Sequence, residues 1–439
     1  MPPLFPSALA ISRFDGRKLL VIMTILAVAL TVESQIGIIA DFIPEQLASN
    51  QGIAVFIGIW AIFIAMQYYI LEFVKYNNKN SRARTPYLHL IHKILTAAQF
   101  LLAGIIALVI LQVLLVREYN SVMLYIVLSI SYGLWIVTLG LLGKALFSWY
   151  RVKKNLMVLL FALSMVFYVI NGVFGLYGQL EELAKRNLVI EYGDVAIFPE
   201  SPSPVLVVYQ TASSIAYILT WIATIMLLRP YIEKLGKLKF WSIMGATMVY
   251  YLIQFPLFTL GYFTPSENSN AMANILTFSL SAIFSGIIFG VAFLSVARVL
   301  KIGTAARNYM IIAAYGFLLF YIAGSALVLQ AAYPPYGLVS VSFTGLSCYL
   351  IYNGLYFSAI SVSQDMTLRQ SIRKSVMEQS KLLDSIGTAE MEREVQKQVL
   401  TVAKKASASM EEESGIEASM NEVDMKEYLE LVIRELSSK

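Results

Sequence analysis

The sequence predicts an all-α, polytopic membrane helix bundle of about ten transmembrane helices, with a cytoplasmic helical tail at its C-terminus. Three observations predict it. Hydrophobic residues make up 58% of the 439 positions and charged residues only 14%, against roughly 25% charge in an average soluble domain. The apolar residues come in long runs, close to the ~20 residues a helix needs to cross a bilayer. Lysine and arginine avoid those runs and collect in the connections between them. Length alone would allow two or three soluble domains, but the apolar runs override that prior. The lone cysteine, Cys348, excludes an intrachain disulfide. The net charge of +5 reflects basic loops, so no nucleic-acid partner is expected.

A cytoplasmic N-terminal segment is expected over 1–18, a ten-helix transmembrane domain over 19–360 and the tail over 361–439. The spans fall near Leu19–Ala40, Gly52–Leu71, Ile94–Val116, Val122–Leu142 and Leu156–Tyr177 in the first half. In the second half they fall near Val205–Leu228, Trp241–Tyr262, Ala271–Ala297, Tyr309–Gln330 and Leu338–Ile360. Helices are expected because lipid offers backbone polar groups no other partner, and the runs are too long and continuous for barrel strands. The first span has a basic start and an apolar middle, but no small-residue cleavage site follows Thr31, so it is expected to be retained.

Charge in the loops gives the orientation. The segments on the N-terminal side carry 19 lysines and arginines, among them Arg13, Arg82, Lys153, Lys237 and Arg298. The opposite loops carry 3, namely Arg117, Lys185 and Arg186. Basic residues stay in the cytoplasm. Both termini of this cell-membrane protein are therefore expected to be cytoplasmic, which an even number of spans also requires.

The longest external loop, Gly178–Pro204, divides the spans into five and five. It is acidic, and "LVIEYGDVAIF" around Tyr192-Gly193-Asp194 predicts a short hairpin. An odd-numbered half would be inverted relative to its partner, as in many transporters. As a count, the division resembles the layout of drug/metabolite transporters, although no motif carries residues over from that family. Ala282, Gly286 and Gly290 recur at four-residue intervals, which lets helices pack closely. Pro256 should kink the seventh span.

One acid lies inside an apolar run. Glu33 is 14 residues past Leu19, about 21 Å into a hydrocarbon core about 30 Å thick. No span offers a cation to pair with it. Gln35, Gln112, Asn171, Gln210, Gln254 and Gln330 fall in the same external half, whereas Gln67, Gln99 and Asn353 fall in the inner half. An outward-facing polar cavity with Glu33 as its ionisable wall group would explain the bias, and intramembrane acids are functional by default. Such an acid is expected to be neutral, held by tyrosine and amide groups, and able to bind a cation or exchange a proton. The bland alternatives are an interfacial Glu33 and amides that merely hold helices together. A purely structural Glu33 would tolerate glutamine.

Catalytic signatures are absent: there is no HExxH, GxSxG or phosphate-binding loop. His89 and His92 share a helical face beside Lys93, but no acid or cysteine lies near enough in sequence to complete a metal site, so they read as interfacial. No enzyme activity and no cofactor are expected.

The tail carries 11 basic and 15 acidic residues. Leu368, Ile372, Val376, Leu382, Leu383 and Ile386 predict that the last span runs on as an amphipathic helix, with Gly387 as its stop. Thr388 would cap a second helix striped by Met391, Val395, Val399 and Val402. "SASMEEESGIE" reads as a loop, and Ser419–Glu422 as a capping box opening a third helix through Leu436. The last span and the region Ser361–Leu400 resemble sensors whose final span enters a signalling helix. Unlike histidine kinases, the tail has no histidine and no glycine-rich nucleotide box. Two functions follow as expectations: a sensor or scaffold coupling the bundle to the tail, or a secondary transporter or channel-like protein using the cavity around Glu33. The expected partners are the lipid bilayer and, through the tail, a cytoplasmic protein or a second copy.

Overall fold

A computed structural model describes residues 16–39, 47–80, 86–185, 187–191, 204–259, 271–301, 304–325, 333–374 and 378–414. Among the described residues, ten long helices follow one another through the bundle. They are α1 (Gly16–Ile39), α2 (Asn50–Asn80), α3 (Pro86–Leu115), α4 (Ser121–Val152) and α5 (Leu156–Ala184), then α6 (Pro204–Leu228), α7 (Lys237–Thr259), α8 (Ala271–Val299), α9 (Ala305–Gly324) and α10 (Leu338–Gln364). Among the described residues, eight of these are long and apolar enough to cross a membrane, and α1 contributes a shorter apolar stretch, Val21–Ile36. The chain is thus an all-α, multi-span membrane helix bundle.

Hydrocarbon outside and apolar core inside give most helices no amphipathic contrast, so packing alone separates their faces. On α1, Val21, Ile25, Val28 and Val32 are exposed, while Leu19, Met23, Leu26, Leu30 and Glu33 form the buried face. Both sets step by three and four residues, as one helical face requires. On α2 the buried face is Phe56, Phe63, Gln67, Ile70, Val74 and Asn77. On α3 it is His92, Leu95, Gln99, Leu102, Ile106, Val109 and Val113. Polar side chains therefore sit in core registers, not toward lipid.

α10 is the axis of the bundle. Every residue from Leu338 to Leu355 is buried, and the helix packs on α9, α4, α3, α2 and α1. Its crossing with α9 brings backbones together: a Cβ at Gly316 would stand 2.7 Å from Ile351 N, and one at Gly354 would stand 2.6 Å from Tyr309 O. Gly286 and Gly290 do the same for α8 against Tyr321 and Ala314 of α9, so that spacing serves packing within the chain.

Short connections are closed by side chains. Asn120 caps α4, accepting from Val122 N at 2.9 Å, and Asn155 caps α5, accepting from Met157 N at 2.9 Å. The external loop, where a hairpin is expected, contributes one described strand to a sheet. β2 (Val189–Glu191) pairs antiparallel with β1 (Glu118–Asn120) of the α3–α4 connection, so its partner comes from another loop. The turn at Tyr192-Gly193-Asp194 lies outside the described residues. α5 also continues to Ala184, past the expected end at Tyr177, because "QLEELA" is itself helix-forming.

The tail departs most from expectation. The last span ends at Gln364, where Asp365 turns extended and its carboxylate accepts from Leu368 N at 3.0 Å. That cap starts α11 (Met366–Lys374). α12 (Glu378–Ser414) then runs through Gly387 and on through "SASMEEES" without a break. Gly387 is not a stop: a Cβ there would overlap the Val362 side chain, so it is where α12 crosses α10. Thr388 lies inside α12 and caps nothing. The third tail helix expected at Ser419 lies outside the described residues.

Candidate functional site

The N-terminus of α10 is a buried helix end, and a helix start leaves four N–H groups unsatisfied. Here all are accounted for. The residue ahead of the helix, Gly337, has φ +90° and no side chain with which to cap. Glu33 of α1 caps it from across the bundle. Its Oε1 accepts from Gly337 N at 2.7 Å and Val339 N at 3.1 Å, and its Oε2 accepts from Ser340 N at 3.0 Å and from the Ser340 hydroxyl. The fourth donor, Leu338 N, reaches Pro335 O at 3.3 Å. A carboxylate at a helix N-terminus is also on the favourable side of the helix dipole.

This arrangement corrects the expectation of tyrosine and amide partners. Glu33 is fully buried and faces the bundle. Three of its four donors are backbone N–H groups, which only donate, so both oxygens serve as acceptors. The neighbouring segment is pinned as well. Tyr336 OH donates to Gly52 O at 2.6 Å, Tyr333 OH donates to Val113 O at 3.0 Å, and Ser34 Oγ meets Ser325 Oγ at 2.9 Å. One acid thus ties α1 to the start of α10, and two tyrosines tie the same start to α2 and α3.

The other external-half residues have separate local partners. Gln112 Oε1 accepts from Asn120 N at 3.2 Å, closing the α3–α4 turn. Asn171 Nδ2 donates to Tyr209 O at 3.1 Å, joining α5 to α6. Gln35 and Gln210 are half-buried. Gln254 lies in α7, with a side chain outside the description, and Gln330 lies outside the described residues. Backbone helix continues past Pro256 to Thr259.

The inner half holds a larger polar network, in which the amide Asn353 joins residues that sequence reasoning missed. His92, expected at the interface, is buried, and its Nδ1 shares a 3.1 Å hydrogen bond with Tyr349 OH on α10. Asn353 Nδ2 lies 3.4 Å from both Tyr349 OH and Asn78 Oδ1. Tyr309 OH reaches Asn77 O at 3.1 Å and Asn78 Oδ1 at 3.3 Å, and Asn308 Nδ2 donates to Asn77 Oδ1 at 3.2 Å. Gln99, expected in the inner half, meets α10 nearer its start: its Nε2 donates to Ser342 O at 3.3 Å, two residues past the Ser340 that Glu33 caps. The available signal was the composition of the last span, "VSVSFTGLSCYLIYN", which is unusually rich in hydroxyls for a helix in lipid. Among the described residues no three His, Cys, Asp or Glu side chains gather as a metal centre.

At the tail-side end of the bundle, α12 lies across α4, α5, α6, α8 and α10. Leu382, Leu383, Ile386 and Ala389 are buried there. Lys153 Nζ pairs with Asp384 Oδ2 at 2.8 Å, Asn155 Nδ2 donates to Ser385 Oγ at 2.6 Å, and Trp149 Nε1 donates to Glu390 Oε2 at 2.7 Å. This part of the tail is packed into the bundle.

No family model, curated protein or solved structure matches this chain.

Proposed function

We propose that this multi-pass membrane protein is a sensor or scaffold of the cell membrane, with ten spans and both termini in the cytoplasm, that passes the state of its bundle to the tail. The observation that carries the reading is the double role of α12. Its first part is seated on the bundle by buried leucines and three polar bonds. Beyond Glu390 it extends for another 24 residues, about 36 Å, with Val395, Val399 and Val402 exposed. One rigid helix with one end in the bundle and the other presented outward converts a shift of α4 or α10 into a displacement at its far end. The exposed end is the surface through which a cytoplasmic protein or a second copy would read that displacement.

Spin labels at Lys154 and Val402 test this in lipid vesicles. Coupling requires two populations of distances, with a ratio that changes when the α10 crossing is disturbed by Gly354→Ala. A single distance, unchanged by that substitution, would make the tail a static part of the bundle.

The transporter alternative draws support from one observation, the polar network along the inner half of α10. The cavity around Glu33 lends it none, since both carboxylate oxygens are used in capping.

A further inference from the structure

The amides of the inner half are incompletely satisfied, and always in the same sense. Gln67 Oε1, Gln99 Oε1 and Asn353 Oδ1 are each buried without a hydrogen-bond partner among the described residues. Their residues are 1%, 0% and 0% exposed. Buried carbonyl oxygens in native proteins are almost always paired, with protein, water or an ion. All three orphans are acceptors, so the missing partner is a donor or a cation. For Asn353 the assignment is supported by its Nδ2, which faces two oxygens, Asn78 Oδ1 and Tyr349 OH.

These atoms lie along one path. Gln99 meets α10 at Ser342 and His92 meets it at Tyr349, so seven residues on α3 match seven on α10. Phe63 of α2 stacks edge-on against Phe343, which places Gln67 one turn, about 6 Å, closer to Asn353 than the Phe63 level. The path therefore descends from Gln99 past Gln67 to Asn353. It ends at Asn78, which is half-buried near the tail-side end of α2. The hydrogen bonds around Asn353, at 3.3 to 3.4 Å, are long for protein contacts.

We infer that this path binds a monovalent alkali cation, with Asn353 Oδ1 as the first ligand and with the carbonyl oxygens of Gln67 and Gln99 as a deeper step. The donor set suits that class. It consists of neutral amide oxygens with no carboxylate in the network, whereas divalent calcium sites rely on several carboxylates. Oxygen ligands suit hard cations. Such a site would supply the bundle with something to sense, yet it stands or falls independently of what the tail does.

The test uses the full chain, purified in detergent. Its thermal unfolding is measured in sodium, potassium and choline chloride at equal ionic strength, alongside equilibrium binding of radioactive sodium and rubidium. The expected result is a saturable rise of several degrees in one alkali salt over choline, with saturable binding of the matching ion. Asn353→Leu should abolish both. Gln67→Leu removes an orphan acceptor, so it should weaken the ion dependence while leaving unfolding in choline unchanged or higher. If Asn353→Leu fails to fold, Gln67→Leu and direct binding to the unaltered protein still decide the matter. Equal unfolding in all three salts with no saturable binding would overturn the inference and assign the three oxygens to buried water. Ion dependence that survives both substitutions would overturn the location.

Discussion

Glu33 shows how a residue's partners can differ from those its sequence suggests. Its position in an apolar run was plain, and the lack of any cation in the spans made a buried, unpaired acid the natural reading. Its true partners were invisible because backbone N–H groups leave no mark on a sequence. The nearest clue was "YPPYGLVS", in which two prolines and a glycine precede an apolar run with no Ser, Asp or Asn directly ahead of the helix to cap it. The capping role changes what substitution does. Glutamine keeps one acceptor oxygen, but its amide nitrogen would face N–H donors. Glu33→Gln is therefore expected to lower the unfolding temperature in detergent, and Glu33→Ala to lower it further. Alanine leaves three buried donors unpaired, a loss of about 3 kcal/mol or more. A Glu33→Gln protein as stable as the parent would show that the cap is not what the carboxylate is for.

At the scale of elements, the long apolar runs were legible because hydrocarbon thickness sets helix length: each of α1 to α10 overlaps an expected span, and among the described residues eight of them are long and apolar enough to cross a membrane. The faces were not legible. With lipid outside and core inside, Val28 and Leu30 look alike in sequence, and it is buried polar residues such as Glu33, Gln67, Gln99 and His92 that mark what points inward. The tail misled for a related reason. Leu382, Leu383 and Ile386 have the spacing of an amphipathic helix, but the spacing does not say what covers them, and Gly387 reads as a helix stop when its purpose is close approach. The correction is testable. Gly387→Leu cannot fit against Val362 and should release α12 from α10, so that protease cuts near Lys381 at least tenfold faster while the bundle stays folded. Unchanged cleavage would mean that the crossing at Gly387 is not tight.

For the whole molecule, the loop charges predict the sides and the fold says what shares each end of the bundle. The paired strands Glu118–Asn120 and Val189–Glu191 lie on one side, and α12 lies on the other with Lys153 and Asn155. Cysteine labels at Leu188 should therefore react from outside intact cells, and labels at Leu238 only after permeabilisation; the reverse pattern would invert the topology. The account as a whole depends on the tail being seated on the bundle. The most direct measurement is a disulfide crosslink between Asn155→Cys and Ser385→Cys, in a Cys348→Ala background, formed in native membranes. Their side chains are in hydrogen-bond contact at 2.6 Å, so rapid and nearly complete crosslinking within one chain is expected, with none for Asn155→Cys paired with Val402→Cys. Equal, slow crosslinking of both pairs would show a tail that is free in solution, and the seated helix on which the proposed coupling rests would be contradicted.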